Sequence, residues 1–262
     1  MDLLLLSYAG VTAKEFLSIT NHEYIKPDLS KKLAYAKSLN REEILGKLQS
    51  FNVNFMTYKH RKYPQLLKEI YDFPYIIYYR GNINLLQTDM LGVVGSRKAT
   101  LYTKNALLDI LPKLKDITII SGLAYGADEM AHSIAIKNDL KTIGVLAFGH
   151  DIHYPKTTEK VRALMEKEHL TISEYPPGTK IEKWRFIARN RIIAGCAKGV
   201  LVTEAEEKSG SLITLEMALD ENRNGYCLPG NITSDFSRGT NLRIKDGAML
   251  VLSADDILLD YN

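Results

Sequence analysis

Cysteine is scarce in this chain, with two residues in 262, and neither Cys196 nor Cys227 belongs to a CxxC pair. This argues against a disulfide framework or a thiolate metal site and places both thiols, reduced, in a core, as in a cytoplasmic protein. No apolar run approaches the roughly 18 residues that cross a bilayer, and the short run Leu3-Leu4-Leu5-Leu6 follows an acid instead of a basic leader. A soluble protein with no membrane partner is expected. The usual cofactor fingerprints are missing as well. The first glycine turn reads Gly92-Val-Val-Gly95-Ser-Arg and the second strand ends Ile119-Ile120-Ser121-Gly122, so the dinucleotide glycine pattern and its ribose-binding acid both fail. There is no P-loop and no nucleophile elbow around any serine, which removes support for ATP hydrolysis and serine-hydrolase chemistry. His150-Asp-Ile-His153 lacks a third ligand and is read as shaping a loop. No cofactor and no metal are expected.

What is present is enough apolar material, 45% of residues, to bury one large core or two modest ones. Positive charge is concentrated. Between Lys180 and Arg191 five basic residues face one acid, a local +4 that exceeds the +3 of the whole chain and leaves the remainder at −1. Such a patch is the electrostatic footprint of a polyanion site.

Residues 1–73 carry helical spacing without glycine-rich turns, as in KKLAYAKSLN and REEILGKLQSF, and are read as a small helical domain. From residue 74 to 262 short apolar runs alternate with helical patterns: Tyr75–Tyr79, Met90–Val94, Ile117–Ile120, Thr142–Ala147, Val200–Thr203, Tyr226–Leu228 and Met249–Leu252. That alternation predicts an α/β fold, a Rossmann-like, mainly parallel sheet with helices on both faces. Ligands of such sheets bind at the carboxyl ends of the strands. Three of the predicted strand-to-helix loops are rich in glycine and serine, through Gly95, Ser96, Arg97 and Lys98, through Ser121, Gly122, Gly126 and Asp128, and through Ser209, Gly210 and Ser211. Glycine lets backbone approach a phosphate, serine caps the helix, and the free amides attract an anion. Any one such loop is also ordinary structure; three in one sheet point to a nucleotide or nucleic-acid crevice.

Tyr125, Phe148, Tyr154, Tyr175, Trp184 and Phe186 lie in or beside the same loops as Arg97, Lys156, Arg185, Arg189 and Arg191. Basic grooves with stacking rings hold single strands, although most of these rings could equally be core. Asp128 and Glu204 stand at strand ends without a mate and read as caps or arginine partners as readily as catalytic acids. Arg189 and Arg191 could likewise be bridged internally to Glu174 or Glu204.

In chain order stand YPQLLKEIYDFPYIIYYRGN, GVVGSR, SGLAYGAD, GHDIHYPK, SEYPPG, RNRIIAG, EAEEKSGSLIT, LPG, SRGTNL and DGAML with DDIL. Over roughly Tyr63 to Leu258 the sequence thus resembles the DprA/Smf family of DNA-processing proteins. The resemblance implies an extended Rossmann fold that binds single-stranded DNA without catalysis, forms a homodimer and loads a RecA-type recombinase during natural transformation. Residues 1–73 resemble that family's small helical SAM-like domain only loosely. The DNA contacts it implies are Gly95, Ser96, Arg97, Lys98, Gly122, Lys156, Phe186, Arg189, Asn190, Arg191, Ser209, Gly210 and Ser211. Arg97→Ala and Arg189→Ala are each expected to weaken binding without unfolding the chain. Ile187 stands where the family usually has proline, GAD replaces GID, Ala147 replaces a frequent glycine and Thr158 a common asparagine, so local pocket geometry is expected to differ. The sequence stops at Asn262, without the winged helix some relatives add, and weak duplex binding is expected. The rival reading is a nucleotide phosphoribohydrolase of the lysine-decarboxylase-like group, whose PGGxGTxxE motif is absent here. A third is an interaction module with a vestigial pocket. Met249, Leu250 and Leu258 are candidates for a partner face, or for core.

Overall fold

The computed structural model describes residues 1–261. Four short helices come first: α1 (Leu3–Tyr8), α2 (Ala13–Thr20), α3 (Pro27–Ser38) and α4 (Arg41–Ser50). Three are started by side-chain caps, Asp2 on α1, Thr12 with Glu15 in a capping box on α2, and Asn40 on α4. Their apolar faces close a cluster around Leu4, Phe16, Leu29 and Leu48 that also takes in Tyr75, Ile76 and Tyr78. The Tyr75 hydroxyl donates to the Val11 carbonyl at 2.8 Å and that of Tyr78 bonds the Ser7 hydroxyl at 2.9 Å, which ties the helices to the sheet.

Among the described residues the sheet has nine strands. β1 (Asn54–Thr57), helix α5 (Gln65–Glu69), β2 (Ile76–Gly81) and β3 (Met90–Val94) lead into α6 (Leu101–Ile110), β4 (Thr118–Ser121), α7 (Ala127–Lys137), β5 (Thr142–Leu146), α8 (Glu159–Glu168) and β6 (Leu170–Ser173). Then follow α9 (Lys183–Cys196), β7 (Gly199–Val202), α10 (Gly210–Asp220), β8 (Asn224–Cys227), α11 (Asp235–Lys245), β9 (Met249–Leu250) and α12 (Asp255–Leu258). The spatial order is β1-β2-β6-β5-β4-β3-β7-β8-β9. β3 to β9 are parallel, while β2 runs antiparallel to β6 and β1 to β2. All seven sequence-predicted strands are present, within a few residues. β1 and β6 are additional: each has four residues, and neither NFMT nor LTIS is closed by glycine. β1 precedes the boundary read at residues 73 and 74, yet it pairs residue by residue with β2.

Side chains of the central strands alternate between two cores, as the twofold pleat requires. On β3 Met90 and Val94 face one core and Leu91 and Val93 the other; on β7 Val200 and Val202 oppose Leu201. The first core takes Leu67 of α5, Ile192 and Ile193 of α9 and Leu212 and Leu215 of α10. The second takes Leu107 and Ile110 of α6, Ala131 and Ile134 of α7 and Ile257 of α12. Cys196 and Cys227 are buried and free, and burial pushes both thiols up to about 12.

The chain winds from β3 outward to β6, then returns to β7 beside β3 and winds the other way. β3 and β7 therefore flank the topological switch point, where the loops leaving adjacent strands diverge and open a crevice.

Candidate functional site

The loops after β3, β4 and β7 meet at that switch point and are bonded to one another. Ser96 N–H donates to the Glu204 carbonyl at 2.7 Å, and Ala127 N–H to the Ser96 carbonyl at 3.2 Å. Glu204, buried at the end of β7, accepts from Thr100 N–H, the Thr100 hydroxyl and the Thr103 hydroxyl at 2.7–2.9 Å. Its carboxylate is spent on anchoring the first loop. Asp128, also buried, accepts from Gly122 and Ala124 N–H at 3.2 and 3.3 Å and so shapes the second loop. Burial raises its carboxyl above the ordinary range, against the opposing pull of the Arg189 charge and those amides.

The resulting crevice measures about 390 Å³ and is lined by Gly95, Ser96, Arg97, Lys98, Ala124, Asp128, Phe186, Ile187, Arg189, Asn190, Glu206, Ser209, Gly210, Ser211 and Thr214. α10 starts in its wall. The Ser209 hydroxyl caps that helix by accepting from Ser211 N–H at 3.3 Å and bonds the Ser211 hydroxyl at 2.8 Å. Leu212 N–H is taken by the Ser209 carbonyl at 3.1 Å, so the helix start offers an anion the Gly210 amide and the positive end of its dipole. Arg97 and Lys98 are exposed on the opposite loop, and among the described residues neither has an acid within ion-pair distance.

A side pocket of about 80 Å³ adjoins the crevice, with Arg97, Gly122, Leu123, Ala124, Tyr125, Ala147, Phe148, Tyr154, Pro155 and Phe186 around it. Phe148, Tyr154 and Phe186 pack against one another at 5.9–6.4 Å between ring centres, and the Arg97 guanidinium lies 5.8 Å from the Phe186 ring. Of the six rings singled out in the sequence, Phe148 alone is buried; Tyr125, Tyr154 and Trp184 are exposed and Tyr175 and Phe186 half-buried. Lys156 follows Pro155 and is exposed beside the pocket, outside its lining. The loop before it is fixed from below. Buried Arg162 donates to the carbonyls of His150 and Ile152 at 2.7 and 2.5 Å, and the His150 ring bonds Thr171.

The two arginines of RNR have different surroundings from each other. Arg189 is 4% exposed and forms part of the crevice floor, donating to the carbonyls of Gly122 and Val145 at 2.6 and 2.5 Å and to Asn190 Oδ1 at 3.2 Å. Burial pulls its guanidinium down to about 10, partly offset by Asp128. A Cβ on Gly122 would overlap that guanidinium, which is why glycine stands there. Arg191 points away from the crevice and pairs with Glu174 at 2.6 Å and Asp72 at 3.2 Å. Burial opposes its charge, but the two carboxylates outweigh it and raise its pKa. The internal bridge to Glu174, one of two partners the sequence allowed, is the one formed.

Of the expected contacts, the structure gathers Gly95, Ser96, Arg97, Lys98, Phe186, Arg189, Asn190, Ser209, Gly210 and Ser211 around the crevice and Gly122 beside it, leaving Lys156 at the rim and Arg191 in a separate ion-pair network. Ile187, Glu206 and Thr214 line the crevice without having been singled out as contacts. A separate groove of about 280 Å³ between α4 and β1 is lined by Leu45, Leu48, Gln49, Asn52, Val53, Asn54 and Phe55, none of them charged.

The family model described as DNA recombination-mediator protein A matches residues 54–262, from the first residue of β1 onward. The chain belongs to that family. It is similar to the DNA processing protein DprA of Streptococcus pneumoniae, 42% identical over 200 residues that cover 76% of this chain and 71% of the relative. DprA of Bacillus subtilis is 38% identical over 217 residues, 82% of this chain and 73% of that one. The X-ray structure of the S. pneumoniae protein superposes with a TM-score of 0.90 at 33% identity, covering 97% of this chain and 95% of that one. DprA from Helicobacter pylori, whose structure was described for its single-stranded DNA binding mode, superposes with a TM-score of 0.70 at 26% identity over 79% of this chain and 94% of its own. The nine-stranded sheet with its switch-point crevice is thus this family's Rossmann-like architecture.

Proposed function

We propose that this chain binds single-stranded DNA along the switch-point crevice and presents it, as a cytoplasmic homodimer, to a RecA-type recombinase during natural transformation. The observation that carries the DNA reading is the pairing of two different subsites. Exposed Arg97 and Lys98 face the Ser209-capped start of α10, a cradle for backbone phosphate. Next to it the ring-lined side pocket, with Arg97 over Phe186, suits a base. A base enters such a pocket only if it is unpaired and unstacked, so the arrangement favours single strands over duplex. The single-stranded DNA mode described for the H. pylori relative supports the same reading. Binding, without bond cleavage, is the proposed activity. Asp128 and Glu204 are both committed to bracing loops, which leaves Glu206, exposed on the crevice lining, as a single uncommitted carboxylate without an acid or base mate, and release of base from nucleoside monophosphates is expected to be undetectable.

The test is fluorescence anisotropy of labelled single-stranded and duplex DNA across a salt series. Neutralising about four phosphates per protomer gives a slope of log K against log salt near −3 for a single strand. Arg97→Glu is expected to abolish binding at moderate salt. A slope near zero, or equal affinity for duplex, would refute the proposed site. The recombinase arm is read separately, from whether the protein speeds filament assembly on coated strands, and the homodimer from its sedimentation mass.

A further inference from the structure

Trp184, the sole tryptophan of the chain, is 52% exposed in the first turn of α9. An exposed indole normally loses freedom only if something holds it, and here three groups do. Its Nε1–H donates to Glu182, the Arg185 guanidinium sits 5.1 Å from its centre, and Tyr175 meets it edge-on at 6.5 Å and 87°. Arg185 itself lies against both rings, 5.2 Å from Tyr175, and pairs with Glu182 at 3.6 Å, so the nearby acid is offset. The indole is therefore fixed in orientation while half its surface stays open to solvent. On either side Lys180 and Lys183 are exposed, with no acid within ion-pair distance among the described residues.

The ring's position relative to the crevice says what it would meet. Ile187 lines the crevice and is 49% exposed. It follows Trp184 by three residues, so the two share a helix face about 4.5 Å apart along the axis. That separation is close to the ~3.4 Å that one stacked nucleotide occupies along a strand. A strand leaving the crevice over Ile187 reaches the indole at its next base, with the two lysines beside its phosphates.

We infer that Trp184, oriented by Arg185, Tyr175 and Glu182, is a second base-stacking platform that extends the single-strand site beyond the crevice along the start of α9. The inference rests on the single-strand reading of the crevice. Its test uses the sole tryptophan as the reporter. The whole chain is titrated with dye-labelled oligothymidylates of about 4 to 16 nucleotides, reading dye anisotropy and tryptophan emission together. Emission is expected to fall as the longer oligonucleotides saturate, in step with anisotropy. Trp184→Ala is expected to weaken long-oligonucleotide binding about five- to tenfold, the lower range for loss of one stacked base, with Trp184→Phe recovering part of the loss. An oligonucleotide of equal length with abasic sites is expected to bind the wild type and Trp184→Ala alike. Anisotropy that rises while emission stays constant and Trp184→Ala binds like wild type overturns the platform but leaves the crevice reading standing. Failure of every oligonucleotide to change anisotropy overturns both.

Discussion

Arg97 and Arg189 both border the crevice, but they are expected to fail in opposite ways when truncated. Arg189→Ala removes a guanidinium that is 4% exposed and that satisfies the buried carbonyls of Gly122 and Val145. It also leaves Asp128 without the positive charge that opposes its burial. Breaking a buried charge arrangement by deleting one member costs about 3–5 kcal/mol, which for a chain of this length lowers Tm by roughly 6–20 °C. Arg97 is exposed, accepts no structural duty beyond its contact with Phe186, and its truncation is expected to move Tm by about 2 °C or less. Its effect is on binding, with roughly a tenfold to hundredfold loss of single-strand affinity for one charged contact of about 1.5–3 kcal/mol. The assay is thermal unfolding followed by circular dichroism, run beside the anisotropy titration on the same preparations. Addition of Asp128→Asn to Arg189→Ala is expected to recover part of the lost Tm, because the amide oxygen still accepts from Gly122 and Ala124 N–H while the unpaired charge is gone. The reasoning is refuted if Arg189→Ala keeps the wild-type Tm and loses only DNA binding, since Arg189 would then be a strand contact and not the floor.

Acid should destabilise the fold before its carboxylates titrate. His132 and His150 are buried, and burial first, then neighbouring arginines, hold His132 down to about 3 and His150 well below its ordinary value. The unfolded chain takes up protons as pH falls through about 6.5 while the folded chain does not, so stability drops with falling pH by about 1.5–2 kcal/mol per histidine between pH 6.5 and 5. Urea midpoints at pH 7, 6 and 5 read this directly, and a midpoint that does not move across that range contradicts it. Gly126→Ala and Gly178→Ala form a second comparison. Both glycines have positive φ, +79° and +90°, but a Cβ at Gly126 would meet the Ser96 and Arg97 carbonyls at 2.5 and 2.6 Å whereas Gly178 faces open space. Gly178→Ala is expected to cost only the backbone strain, about 1 kcal/mol; Gly126→Ala should cost distinctly more and should also weaken DNA binding by displacing the Arg97 loop. Equal losses in the two variants would show that crowding under that loop is unimportant.

Much of this site was legible because its chemistry is local. A glycine-serine loop followed by a helical pattern specifies its own geometry, so the start of α10 and the Gly95–Lys98 loop lie where the sequence placed them. The strands that eluded the sequence reading were those whose definition is not local. β1 has four residues and is a strand because Asn54–Thr57 finds its partners on β2, and β6 depends on β2 and β5 in the same way. Arginine roles are least legible of all, because charge is visible in a sequence whereas burial and partner depend on elements brought together by the fold. Arg189 and Arg191 are two residues apart, yet one closes a crevice floor against carbonyls from β5 and the loop after β4, and the other reaches Asp72 and Glu174 on loops beside β2 and β6. Helical geometry turns them about 200° apart, so spacing alone sends the two side chains in different directions, although the family resemblance implied DNA contact for both. Which one would face the ligand required the sheet order. The same spacing argument, applied outward along α9, sets Trp184 and Ile187 on one face and Arg185 and Arg189 on another. Arg189 thus closes the crevice floor while Arg185 packs against Tyr175 and Trp184, and Trp184 and Ile187 leave an exposed apolar side along the proposed path of the strand.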